Sequence, residues 1–119
     1  MRYLSIIRAN EQQGAPPQAL LDAIGQQVTK TLEDGTMVST GGLAPSAAGV
    51  RIRIKAGRLT VTDGPFAETK EVIGGYAVLA GDSREDVVRA TKEFMQLHLD
   101  HWPGWEGECE LRELVFLAP

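Results

Sequence analysis

The stretch Val50-Arg51-Ile52-Arg53-Ile54-Lys55-Ala56-Gly57-Arg58-Leu59-Thr60-Val61-Thr62-Asp63 decides how the rest of the chain is read. Val50, Ile52 and Ile54 alternate with Arg51, Arg53 and Lys55, the period of two of a strand with one apolar face. Ala56-Gly57 makes a two-residue turn, with Gly57 supplying a positive φ. Arg58 to Thr62 then returns as the partner strand. In that register Ile54 faces Leu59, Ile52 faces Val61 and Val50 faces Asp63. Asp63 therefore shares the apolar side, where a carboxylate needs backbone donors or a partner charge. The segment is a self-contained hairpin, so the elements around it can be counted without it.

Upstream, residues 2 to 8 read as a strand with Leu4 and Ile6 on one side and Tyr3 and Ile7 on the other. Pro16 and Pro17 stand at a helix start, where a missing N–H costs little. Leu20, Ile24, Val28 and Leu32 then recur every four residues, with Leu21 beside them, as one buried helical stripe. Gly35 ends that helix as a left-handed cap, and a short strand runs from Thr36 to about Gly42. Downstream, Val72 to Ala80 is a strand, and Ser83-Arg84-Glu85-Asp86 is a capping box that opens a second helix. Val87, Val88, Thr91, Phe94, Met95 and His98 share one face of it. Trp102-Pro103-Gly104-Trp105 stops it, and Glu108 to Leu117 is the last strand.

Without the hairpin the order is strand, helix, strand, strand, helix, strand. That is the duplicated split β-α-β of an α+β, ferredoxin-like fold, with two helices on one face of an antiparallel sheet and the hairpin inserted. The apolar positions on the other face, with Tyr3 and Ile7 assigned to it, would lie open in a monomer. A patch of that kind marks an interface, and a face-to-face homodimer is its simplest cover.

The size fits one domain spanning residues 1–119. Hydrophobic residues make up 43% and charged residues 24%, which excludes a disordered chain. A net charge of -4 argues against nucleic acid or an anionic membrane as partner, because both need a basic footprint. The lone Cys109 cannot form an internal disulfide and reads as a small buried hydrophobe, which fits a cytoplasmic protein. No apolar run approaches the ~20 residues of a membrane span, and the start is charged too soon for a signal peptide.

After the hairpin comes Asp63-Gly64-Pro65-Phe66-Ala67-Glu68-Thr69-Lys70-Glu71, a tight turn followed by a dense alternation of acid and base. Held between strands, it is where binding or chemistry tends to live. On one reading Asp63, Glu68, Lys70 and Glu71 line a cleft and bind or protonate a small polar ligand. On the other, Asp63 fixes the turn, Phe66 plugs the core and the remaining charges are solvated. The basic strip Arg51, Arg53, Lys55 and Arg58 either grips an anion or an acidic partner, or simply keeps the hairpin soluble. Trp102 and Trp105 offer flat surfaces to a ring-shaped ligand or anchor their turn. His98 and His101 stand as buried or titrating imidazoles, and two histidines without further ligands make no metal site.

This motif, followed by Gly74-Gly75-Tyr76, resembles the DGPF-type proteins of the YCII-related family. The tail His101-Trp102-Pro103-Gly104-Trp105-Glu106-Gly107-Glu108-Cys109-Glu110-Leu111-Arg112 is similar to a subset of the same family. The resemblance implies a ferredoxin-like subunit that pairs into a dimeric α/β barrel. Its wider superfamily includes isomerases, a dehalogenase, small monooxygenases and ligand-sensing domains. Bacterial genes for such proteins often adjoin those for extracytoplasmic-function sigma factors. In one branch a His just after the first strand pairs with an Asp as the acid/base site. Here Arg8-Ala9-Asn10 follows that strand, so the His–Asp pair does not carry over.

The expectation is a small-molecule-binding protein, acting without a bound cofactor as an acid/base enzyme of isomerase, lyase or dehalogenase type. Asp63 or Glu68 would be the base, Lys70 the anion holder and His98 or His101 a second acid. Arg51, Arg53, Phe66 and Trp102 would contact the ligand. The alternative is a non-catalytic sensor or partner of a sigma factor.

Overall fold

The computed structural model describes residues 1–66 and 71–115. Six strands and two α-helices follow in the order β1 (Arg2–Ala9), α1 (Gln18–Glu33), β2 (Met37–Gly42), β3 (Val50–Lys55), β4 (Arg58–Asp63), β5 (Val72–Ala80), α2 (Arg84–His101) and β6 (Gly107–Glu113). The main sheet has the order β2-β5-β1-β6, with every neighbour antiparallel. With the β3–β4 hairpin set aside, this is the antiparallel sheet of the ferredoxin-like α+β plan. The last strand ends at Glu113, short of the expected Leu117, which lies outside the described residues.

The hairpin forms in the register read from its sequence, with Ile54 opposite Leu59, Ile52 opposite Val61 and Val50 opposite Asp63. Its turn places both Ala56 (φ 51°) and Gly57 (φ 76°) in the left-handed region. That geometry matches the right-handed twist of the flanking strands. The hairpin is a separate two-stranded sheet. Its apolar face is open, with Ile52 68% and Ile54 78% exposed. The radius of gyration is 16.2 Å. A compact chain of this length would have about 13.5 Å. A projecting arm accounts for the excess.

The side assignment of β1 is reversed relative to the expectation. Tyr3 is buried against Val87 of α2 and Leu79 of β5, on the face that the helices cover. Leu4 pairs with Val78 and Ile6 with Tyr76 on the opposite face. That face also carries Glu110, which bonds both Arg8 and Arg112. Those two guanidinium groups, Arg112 first, hold the Glu110 carboxyl below the usual carboxylate range.

The fully buried core is small: Leu20 on α1 and Val87 on α2 are each 1% exposed. Leu32 ends the predicted stripe yet is 47% exposed. A step of four residues overshoots a helical turn by about 40°, so three steps carry Leu32 off the buried face. Thr31 takes the inward position and bonds the carbonyl oxygens of Gln27 and Val28. At the start of α2 the Ser83 hydroxyl accepts from the Asp86 N–H at 3.2 Å. Asp86 does not return the bond; it pairs with Arg89.

Candidate functional site

A cavity of about 670 Å³ lies between the sheet and the two helices. Its floor is β1 and β5, through Ser5, Ile7, Ala77 and Leu79. One wall is α1, through Leu20, Ile24, Val28 and Thr31, the stripe that the sequence marked as core. The other wall is α2, through Ala90, Thr91, Phe94 and His98. The segment from Gly41 to Pro45 and residues Val72 to Tyr76 form one end. Trp102 and Trp105 line the cavity beyond the end of α2.

The aromatic end is built by local geometry. Trp105 N–H bonds the Trp102 carbonyl at 3.1 Å, and Gly104 turns the chain with φ 79°. This stacks the two indoles, with centroids 5.8 Å apart and planes at 26°. The Trp105 ring in turn lies 4.7 Å from the His98 ring, and Phe94 meets His98 edge-on at 4.9 Å. Trp105 can lie there because position 107 is glycine: a Cβ on Gly107 would strike the indole.

His98 is 7% exposed. Its Nδ1 lies 3.2 Å from the Phe94 carbonyl oxygen. A carbonyl can only accept, so Nδ1 carries the proton and Nε2 keeps a lone pair. Burial pushes the imidazole pKa below its ordinary value, against a smaller opposing effect of the Phe94 carbonyl. His98 is therefore neutral at pH 7, and no described residue hydrogen-bonds its Nε2. The side-chain Oε1 of Gln27, on α1, is buried without a partner among the described residues.

Several other polar groups of the cavity are engaged. Ser5 Oγ meets Cys109 Sγ at 2.8 Å, and burial raises the thiol pKa. Thr91 Oγ1 donates to the Val87 carbonyl. Glu11, at the rim, accepts from both the N–H and the hydroxyl of Ser46, which lowers its pKa. Gln13 exchanges two 2.8 Å bonds with the backbone of Glu106, tying the segment after β1 to the tryptophan turn. Among the described residues the wall carries no Lys or Arg, and none form a cluster able to hold a metal ion.

The structure brings His98 and Trp102 together in this cavity and adds Trp105, which the sequence offered only as an anchor or flat surface. His101, half-buried near the end of α2, is not part of the wall. The Asp63 side chain is exposed and makes no hydrogen bond among the described residues. It needs no partner because the hairpin face it shares is itself solvated. Phe66 packs beside Gly49 and under Arg51, whose guanidinium carbon stands 3.9 Å from the ring centroid. Gly64 fits against the Ser46 carbonyl, which a Cβ would strike. Gly64 and Phe66 thus lean on the loop after Pro45. Arg51 and Arg53 lie on the hairpin, away from the cavity wall. Glu68 and Lys70 lie outside the described residues. The signal that could have found Trp105 is Gly107, which makes room for a ring two residues away.

No helix among the described residues is long and apolar enough to cross a membrane. The chain is 30% identical, over 90 residues, to an uncharacterized protein of Rhizobium meliloti (strain 1021), a match covering 76% of this chain and 68% of that protein. The family model of the YCII-related domain matches residues 1–95, which span β1 through most of α2, and the chain therefore belongs to the YCII-related domain family.

Proposed function

We propose that this protein binds a small molecule in the cavity between sheet and helices and carries out proton transfer there without a cofactor, as an isomerase, lyase or dehalogenase does. The observation that carries the reading is His98: a buried, neutral imidazole at an apolar cavity, with one nitrogen fixed by Phe94 and the other unpartnered among the described residues. An imidazole held in one tautomer beside a ligand site is positioned to take a proton. In this reading His98 is the base, and Phe66 packs beside Gly49 and Arg51 next to the loop after Pro45. The protein acts as a homodimer through the open sheet face of Leu4, Ile6, Tyr76 and Val78. A monomeric mass by light scattering at micromolar concentration would overturn the dimer. The test of the chemistry is exchange of a carbon-bound proton of a bound ligand with deuterated solvent, followed by NMR. Wild type should exchange it and His98→Gln should not. A ligand that binds without exchange would remove the chemistry and leave the binding.

The exposed hairpin supports a second reading, a sensor or partner acting with a sigma factor. Its apolar face, with Ile52, Ile54, Leu59 and Val61 each at least 68% exposed, is larger than a lone hairpin needs. Capture of a sigma factor by wild type but not by the Ile52→Ser, Ile54→Ser double variant would favour it.

A further inference from the structure

We propose that the ligand of this cavity is an uncharged aromatic molecule that donates a hydrogen bond to His98 through a ring hydroxyl or ring N–H; this rests on the cavity being the working site. Charge is the first argument. The described wall carries no Lys or Arg, and its one charged residue is the Glu11 carboxylate at the rim. An anionic ligand would lose its hydration and meet a negative group in return. Hydrogen-bonding sense is the second. The hydroxyl protons of Thr31 and Thr91 are held by backbone carbonyls, and Ser5 is paired with Cys109. Two acceptors stand without a partner among the described residues: His98 Nε2 and, on α1, the side-chain Oε1 of Gln27. A ligand that satisfies His98 Nε2 must bring the proton. Shape is the third. Phe94, His98, Trp105 and Trp102 form a run of ring contacts along the wall, with successive centroids 4.7 to 5.8 Å apart. A flat aromatic ligand extends such a run by edge-to-face or offset contact. A volume of about 670 Å³ admits a bicyclic molecule.

Three naphthalenes of nearly equal size separate these arguments. Titrations of the whole chain with 2-naphthol, 2-methoxynaphthalene and 2-naphthoate at pH 7 would be read by calorimetry and by the indole N–H resonances. The expected result is that 2-naphthol binds about tenfold more tightly than the methyl ether, which cannot donate. It should bind about a hundredfold more tightly than the carboxylate. In folded His98→Phe the preference for naphthol over its ether should vanish. The wild-type series needs no variant, so a poorly folding His98→Phe leaves the proposal testable. Equal affinity for naphthol and its ether would overturn the hydrogen-bond donor. Tightest binding of naphthoate would overturn the ligand class while keeping the cavity as the site. Failure of all three to shift the indole resonances would overturn the class and the cavity together.

Discussion

His98 Nδ1 lies 3.2 Å from the carbonyl oxygen of Phe94, one helical turn earlier. The contact fixes the neutral tautomer, and burial keeps the ring neutral to a lower pH than in the unfolded chain. The sign of the linkage follows. Above the unfolded value of 6.5 both states are neutral and stability is flat. As pH falls below it, the unfolded chain takes up a proton that the folded protein refuses, and stability declines. The midpoint of thermal unfolding should therefore drop between pH 7 and 5, and His98→Phe should remove much of that drop. The carboxyls with lowered pKa, Glu11, Asp34 and Glu110, act further down, below their ordinary value near 4.

Gly107→Ala should disturb the site from outside it. The new methyl would meet the Trp105 ring and, at 3.0 Å, the Arg8 carbonyl. Overpacking of this kind costs about 2 kcal/mol. The Trp105 indole should swing away from His98, visible as changed ring-current shifts of the His98 protons. Unchanged shifts would mean that the backbone of β6 absorbs the methyl.

Gln13→Ala should loosen one end of the cavity. The variant loses both bonds to Glu106, which are exposed, so the stability loss should be small, about 1 kcal/mol. Amide exchange at Trp105 and Glu106 should accelerate more than exchange in β1.

Ala56→Asn should strengthen the hairpin. Ala56 holds φ 51° at a turn position that suits Asn. Relief of about 1 kcal/mol would slow amide exchange in β3 and β4 by about fivefold and leave the main sheet unchanged.

The hairpin was legible pair by pair because strict alternation around a two-residue turn admits one register. The sheet followed from element order. The sides of β1 were not legible, since Leu4, Ile6, Tyr3 and Ile7 are all apolar and alternation alone cannot say which pair meets the helices. Packing against Val87 and Leu79 decides it. The cavity was hidden for a related reason: Leu20, Ile24 and Val28 read as core whether they meet a partner or a void. His98 was readable as an inward residue of α2. Its contact with Trp105 depends on the tryptophan turn and on Gly107, which no helical period reveals.

The most direct test is a titration of small aromatic fragments followed through the indole N–H signals of Trp102 and Trp105 and the imidazole signals of His98. Occupancy of the cavity predicts fragments that shift all three side chains together and lose their effect in folded Trp105→Ala. Fragments that bind elsewhere, or a set that moves none of the three, would contradict the cavity as the working site.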